Sequence, residues 1–382
     1  MHKKLLFLLI LILPNLIIGQ TIYKKLKSSK LGEERELKIQ LPRNYDQNKE
    51  KRFPILVVLD GDYLFEPVAG NVDYYSYWED IPEMIVVGIN QSSSRESDSF
   101  YDENTFLPAG TGASFFEFIG MELIPFLESN YRTAPFRVIM GHDYTSNFIN
   151  YYLLKENPLF QGYVNLSPDL APEIETRVLN SLQKSTHPIW YYLATSTEDI
   201  SALKSKILSF DSQLKKIDNK NIHYNFDNFE DASHYTLVGN AIPKAIEQIF
   251  ETYRPISVQD YNSVLLQTSV SSFDYLVEKY KNIHTLFGID KQIRLNDFMA
   301  VYNAMEKTKN FEQMNDLSKL AVKNYPNTML ATYFEGRYEE ETGNPKKAMR
   351  IYQNAYGQDP ILFLNIDFML EKAKQIKVDF NY

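Results

Sequence analysis

The chain has 382 residues, a formal net charge of −9 and no cysteine. This length is enough for two domains with their own cores. The absence of cysteine excludes disulfides, thiol catalysis and thiolate metal sites, and an acidic chain without a basic stripe is unsuited to a nucleic-acid partner.

The first twenty residues have the pattern of a secretory signal peptide. A basic start at His2 to Lys4 precedes an almost wholly apolar run from Leu5 to Ile18, and Gly19 is the small residue typical of a cleavage site. The apolar run is shorter than the length that a membrane-spanning helix requires, and no later stretch is long and apolar enough. The pattern predicts cleavage of residues 1–20 and a mature protein without a membrane span. Export without disulfides favours the periplasm or the outer-membrane periphery.

Short apolar runs alternate with helical patterns from residue 21 to residue 254, which predicts an α/β domain around a mostly parallel sheet. The continuous apolar runs Ile55–Leu59 and Ile85–Val87 are typical of strands buried on both faces. The polar stretch Gln91–Ala109 is predicted to be a long loop near the binding cleft. The predicted strands are Glu36–Leu41, Ile55–Asp60, Met84–Ile89, Arg137–Met140, Gly162–Leu166, Ile189–Ala194 and Ile222–Asn228. The predicted helices are Gly112–Asn130, Asn147–Asn157, Ile200–Asp218 and Leu237–Tyr253.

Residues 255–382 show only helical patterns and are predicted to form a second, all-α domain. Two segments repeat with an offset of 34 residues, pairing Asn310 with Asn344, Ala321 with Ala355, and Pro326 with Pro360. This period, with alanine at packing positions and proline closing the second helix, is the tetratricopeptide pattern. At most two repeats are recognisable, fewer than a free-standing array needs, and a plain helical extension is the alternative.

The pentapeptide Gly141-His142-Asp143-Tyr144-Thr145 lies between a predicted strand and a predicted helix. The pattern G-x-S-x-G at such a place is a nucleophile elbow, a sharp turn that lifts a serine hydroxyl above the sheet of an α/β-hydrolase. In this chain the position of the serine holds Asp143. The pentapeptide therefore predicts the fold and leaves the chemistry open.

Further motifs surround this pentapeptide in a fixed order. They are Ile55–Asp62, Met84–Ile89, Glu122-Leu123-Ile124-Pro125-Phe126, Asn130-Tyr131-Arg132-Thr133, Gly141-His142, Leu166-Ser167-Pro168 and Ser233-His234-Tyr235-Thr236. Together they resemble the Putative esterase family, which includes esterase D and the enterochelin esterases, over roughly residues 21–252. The departures from the family pattern are Asp143 in place of serine and Thr145-Ser146 in place of a glycine pair.

The resemblance implies an α/β-hydrolase fold and a set of site positions. His234 corresponds to the catalytic histidine, and either Glu198 or Asp199 corresponds to the acid that orients it. Gly61 and Tyr144 correspond to the oxyanion-hole positions. The chain order of nucleophile position, acid and histidine is that of α/β-hydrolases.

Three interpretations of Asp143 remain open. In the first, the site is inactive, and the carboxylate takes the place of a bound anion at the helix N-terminus. In the second, Asp143 is itself the nucleophile, as in haloalkane dehalogenases and some epoxide hydrolases, and His234 is the base. In the third, Thr145, Ser146 or Ser167 supplies the hydroxyl.

The first interpretation predicts an exported pseudo-hydrolase that binds rather than turns over a ligand. Its partner would be a protein bound through the C-terminal helical domain, or a small ligand in the former active-site cleft. An active hydrolase on esters or other electrophiles is the alternative. No cofactor, metal, nucleic-acid partner or membrane span is predicted.

Overall fold

A computed structural model describes residues 21–267 and 269–382 of the chain. The predicted signal peptide at residues 1–20 lies outside the described residues. Contacts divide the described chain into two units. The first runs to Glu251 and includes Leu286–Ile289, and the second comprises Thr252–Thr285 and Asp290–Tyr382. The predicted boundary after residue 254 lies close to this division, and the separate folding of two domains stays a prediction.

The first unit contains an eight-stranded sheet in the order β1-β2-β4-β3-β5-β6-β7-β8. β1 and β2 run antiparallel to their neighbours, whereas β3 to β8 pair in parallel. The predicted mostly parallel sheet is therefore confirmed. The strands are β1 Thr21–Lys27, β2 Glu34–Gln40, β3 Phe53–Val58, β4 Ile85–Ile89, β5 Thr133–His142, β6 Gly162–Leu166, β7 Ile189–Glu198 and β8 Ile222–Ser233.

Central strands of this sheet are covered on both faces. Every residue of β3, β4 and β6 is buried, as continuous apolar runs require. The edge strands β1 and β8 consist almost entirely of partly buried and exposed residues. Because β3 to β8 are parallel, their carboxyl ends lie at the same edge of the sheet, where the loops that follow them meet.

The α-helices of the first unit are Phe65–Tyr77, Arg95–Asp98, Gly110–Phe118, Ile124–Asn130, Tyr144–Ile149, Ile174–Lys184, Ser201–Leu214 and Thr236–Ile249. The predicted helix Gly112–Asn130 is interrupted by a π-helical turn at Ile119–Leu123. The predicted loop Gln91–Ala109 contains the one-turn helix Arg95–Asp98. Helices Phe65–Tyr77 and Ile174–Lys184, and strand β1, were not predicted from the sequence.

The second unit is helical. Its α-helices are Val258–Asp260, Ser272–Phe287 (up to Thr285 within this unit), Leu295–Thr308, Met314–Asn324, Met329–Glu341, Pro345–Gln353 and Ile366–Asp379. Gly336 lies so close to a neighbouring helix that a Cβ atom there would be 2.2 Å from the Tyr352 ring. Such close helix packing fits the predicted repeat, and the tetratricopeptide assignment stays a prediction.

Candidate functional site

Asp143 lies at the apex of a tight turn between β5 and the helix Tyr144–Ile149. Its backbone has φ 60° and ψ −119°, a conformation that is strained for any residue other than glycine. Gly141 allows the turn to close, because a Cβ at that position would lie 2.6 Å from the carbonyl carbon of Thr145. The strand-to-helix turn thus has the geometry of a nucleophile elbow with a carboxylate at its apex.

Polar contacts hold this turn together where a glycine pair would leave space. The Thr145 hydroxyl accepts from the His142 amide at 3.0 Å and donates to Asp60 Oδ2 at 2.6 Å. Ser146 is buried, and its hydroxyl is 3.4 Å from Asn165 Oδ1. The two larger residues are therefore accommodated with the strained apex in place.

The Asp143 carboxylate contacts Arg95 and makes no hydrogen bond to the helix N-terminus. Arg95 Nη1 is 3.3 Å from Asp143 Oδ2. Burial raises the pKa of Asp143 above its usual value, and the nearby charges of Arg95 and His234 offset this only in part. The carboxylate therefore does not hydrogen-bond the helix amides, and its role in place of a bound anion stays a prediction.

Arg95 is itself anchored beneath the apex. Its Nε donates to Asp60 Oδ1 at 2.7 Å, and its Nη2 donates to the His142 carbonyl at 2.9 Å. The guanidinium carbon also lies 5.4 Å from the centre of the Tyr144 ring. Asp60 is only 1% exposed, so its charge requires a partner of this kind. The sequence reasoning missed Arg95 and Asp60, although both follow strands that end at the expected edge.

His234 and Asp199 form the second half of the site. His234 Nδ1 is 2.8 Å from Asp199 Oδ1, and Asp199 Oδ2 accepts from Ser167 and Thr195, each at 2.7 Å. Burial alone would raise the pKa of Asp199, but these hydrogen bonds and the Ile200 amide lower it to about 2. Asp199 is therefore an ionised acceptor that orients the imidazole.

Glu198 does not take that position. It is the last residue of β7 and its side chain is exposed, whereas Asp199 is turned inward. Of the two acids left open by the sequence, the structure brings only Asp199 to His234.

The candidate hydroxyls face away from the reactive side of His234. Ser167 Oγ is 3.1 Å from Nδ1, the ring nitrogen that already faces Asp199. Thr145 and Ser146 are buried and engaged elsewhere, as described above. None of these contacts places a hydroxyl at Nε2, so the geometry does not favour any of the three as a replacement nucleophile.

His142 connects the apex with the loop that carries His234. Its Nε2 is 3.2 Å from the His234 carbonyl, and its Nδ1 is 3.0 Å from the Tyr63 hydroxyl. Burial, together with His234 and Arg95, lowers the pKa of His142 to about 3. The ring is therefore neutral at pH 7. Because a carbonyl only accepts, its single proton belongs on Nε2. The Tyr63 hydroxyl donates to Asp60 Oδ2 at 3.0 Å and therefore links Asp60 with the unprotonated Nδ1 of His142.

The two predicted oxyanion positions differ in availability. The Gly61 amide donates to the Ile89 carbonyl at 2.8 Å, so it is not available to an oxyanion and this assignment is wrong. Tyr144 is the first residue of its helix, and a first-turn amide has no intrahelical acceptor. Tyr144 therefore stays the predicted donor at this site.

Residues 21–267 and 269–382 were also compared with the patterns of metal sites and of membrane-spanning helices. No cluster of three or more histidine or acidic side chains there has the arrangement of a metal site. No helix within the same ranges combines the length and the apolar character that a bilayer crossing requires.

Comparisons with known proteins agree with this geometry. The model of the Putative esterase family matches residues 28–235. An uncharacterised protein from Capnocytophaga ochracea DSM 7271 superposes with a TM-score of 0.85 and 27% identity, covering 94% of this chain and 100% of that one. An IroE-like serine hydrolase from Shewanella oneidensis superposes with a TM-score of 0.58 and 21% identity, over 78% of this chain and 98% of that one. The BES protein from Bacillus cereus superposes with a TM-score of 0.54 and 20% identity, over 61% of this chain and 95% of that one.

A search of curated proteins found no significant match. The family match covers more than half of the chain, and strands β2 to β8, the strained elbow and the His234–Asp199 pair lie within it. The chain belongs to the Putative esterase family, with an α/β-hydrolase-like domain followed by a helical region.

Proposed function

We propose that this protein binds a partner or ligand through an esterase scaffold that does not carry out acyl transfer. The observation that carries the proposal is the carboxylate of Asp143 at the apex of the elbow, in contact with Arg95. A serine esterase needs a hydroxyl that its histidine can deprotonate, and a carboxylate cannot form the usual acyl-enzyme productively. In this proposal Asp143 stands in place of the serine, and catalysis of acyl transfer is lost.

The proposal includes where the protein acts and what it binds. The N-terminal pattern supports export to the periplasm or the outer-membrane periphery. The helical region, with its tetratricopeptide-like pattern, is the proposed surface for a protein partner. The cleft around Asp143 and His234 is the proposed site for a small ligand. The fold alone does not fix any of these roles.

A second candidate function is hydrolysis with Asp143 as the nucleophile. The intact His234–Asp199 pair favours it, because a binding site has no need of an oriented imidazole. Asp143 would attack an alkyl carbon, expelling a halide or opening an epoxide to an alkoxide that takes up a proton, and would form an enzyme ester; attack on the acyl carbon of an ester would expel the alkoxide and form a mixed anhydride. His234 would then take a proton from a water molecule that hydrolyses this ester and regenerates the carboxylate.

Oxygen labelling separates the two candidates. The purified full-length chain is incubated in ¹⁸O-water with panels of esters, epoxides and alkyl halides, and the peptide containing Asp143 is analysed by mass spectrometry. The binding proposal predicts no product and no label. The second candidate predicts product and ¹⁸O in the Asp143 carboxylate, because water attacks the enzyme ester. His234→Ala is the control that should stop turnover in the second case.

A further inference from the structure

A cavity of about 530 Å³ lies away from the elbow apex. Its walls come from the loop end at Leu107, the helix Gly110–Phe118, the π-helical turn Ile119–Leu123 and residues 151–155. Tyr151 is eight residues beyond Asp143, roughly 12 Å at the rise of an α-helix. The lining of the cavity includes neither Asp143 nor His234, and we treat it as separate from their cleft.

The size and walls of this cavity are those of a small-molecule site. Ligand pockets typically measure about 300–1,000 Å³ and are mostly apolar with a few polar groups. The Phe116 ring lines the cavity and stacks on Tyr152 with ring centres 4.2 Å apart. Met121 is 61% exposed on the π-helical turn and provides a flexible apolar wall. An aromatic or other flat apolar body would fit between these side chains.

The charges at the rim favour an anionic ligand. Glu117 is already paired with Lys30 at 2.6 Å. Lys155 has its ammonium 5.2 Å from the centre of the Phe116 ring, and among the described residues no carboxylate lies within ion-pair distance of it. A ligand that places its apolar body on Phe116 therefore meets an available cation at its edge.

We propose that this cavity binds a small aromatic anion, with its ring system against Phe116 and Met121 and its carboxylate or sulfonate beside Lys155. The site is independent of the proposed function of the elbow. It would give the protein a ligand even if the cleft at Asp143 serves another purpose.

Two fluorescent probes that differ by a single sulfonate test this proposal. They are 8-anilinonaphthalene-1-sulfonate and the neutral N-phenyl-1-naphthylamine, each titrated into the full-length chain. Lys155→Met should weaken binding of the sulfonate probe about two- to fivefold, as expected for a partly exposed ion pair. Binding of the neutral probe should stay unchanged, because methionine keeps the apolar stem.

Two further variants locate the site. Ala113→Phe places a ring in the cavity and should reduce binding of both probes. Lys220→Met removes an exposed lysine elsewhere in the first unit and should behave as the wild type. An unchanged preference for the sulfonate probe in Lys155→Met, or wild-type binding of both probes by Ala113→Phe, would overturn the proposal.

Discussion

At the scale of single residues, the two carboxylates of the cleft occupy opposite environments. Asp199 accepts hydrogen bonds at both oxygens, which lower its pKa to about 2 despite burial. Asp143 has one long contact to Arg95, and burial raises its pKa. The first carboxylate is stabilised as an anion and the second is destabilised as one, so their effects on stability have opposite pH dependence.

Asp143→Asn should stabilise the protein more at pH 7 than at pH 4, relative to the wild type. Because the folded pKa of Asp143 is raised, the folded state binds more protons than the unfolded state above the unfolded pKa, and stability falls as pH rises through that range. The amide has no such charge to bury. Thermal unfolding of both proteins across this pH range measures the difference. If the stability that Asp143→Asn gains over the wild type decreased as pH rises, the raised pKa of Asp143 would be contradicted.

Asp199→Asn should destabilise the protein by roughly 2–3 kcal/mol near neutral pH, since one pKa unit corresponds to about 1.4 kcal/mol. The folded pKa is depressed to about 2. The contribution of ionised Asp199 to the free energy of unfolding is therefore complete above pH 4 to 5, and it is lost as pH falls towards 2. Urea unfolding at pH 7 and at pH 3 checks both the size and the direction. Glu198→Gln, at the exposed neighbour, is the matched control and should change stability little.

The sequence indicated Asp143, His234 and, for the acid, either Glu198 or Asp199, because a local motif marks each of these positions. Arg95 and Asp60 carry no such motif. Their relation depends on how β3, β5 and the loop after β4 meet in space, 35 residues apart in the chain. The error over Gly61 has the same cause, since the Ile89 carbonyl that occupies its amide belongs to a different strand.

At the scale of elements, the turn between β5 and the helix Tyr144–Ile149 positions the whole cleft. The sequence predicted this turn, the parallel sheet and the seven strands from Glu36 onward, because buried strands give continuous apolar runs. Helices Phe65–Tyr77 and Ile174–Lys184 were missed although their buried residues recur every three or four positions. Aromatic residues throughout the first helix and a polar majority in the second obscured that periodicity.

Gly141→Ala tests how closely the turn is packed. The added Cβ would lie 2.6 Å from the Thr145 backbone, which cannot move without displacing the helix start. We expect a loss of about 1–3 kcal/mol in the free energy of unfolding, as for other overpacked sites. Gly239→Ala is the matched control, because nothing lies within 4 Å of its added Cβ in an exposed helix position.

Denaturant unfolding of both glycine variants separates the two effects. Gly239→Ala should stabilise the protein by about 0.5–1 kcal/mol, since alanine loses less backbone entropy in a helix. Equal effects of the two substitutions would show that the elbow relaxes more easily than its contacts indicate.

At the scale of the whole molecule, the predicted export would determine where a partner is met. The basic start and apolar run predict that the native protein begins near Gln20 or Thr21. N-terminal sequencing of the protein from its own cells measures this. Retention of Met1 would contradict cleavage and remove the argument for a periplasmic location.

The central claim is that an esterase scaffold has lost acyl transfer because Asp143 occupies the apex. Initial rates on small acyl esters, for wild type, Asp143→Asn and Asp143→Ser, test it most directly. The account predicts that wild type and Asp143→Asn match the uncatalysed rate. Asp143→Ser should regain little esterase activity, because Arg95 stays bound beside the apex and the Gly61 amide is already bonded to the Ile89 carbonyl. The loss of one oxyanion donor typically costs about 10²–10³ in rate. Hydrolysis by the wild type that Asp143→Asn abolishes would contradict the account and establish Asp143 as a nucleophile.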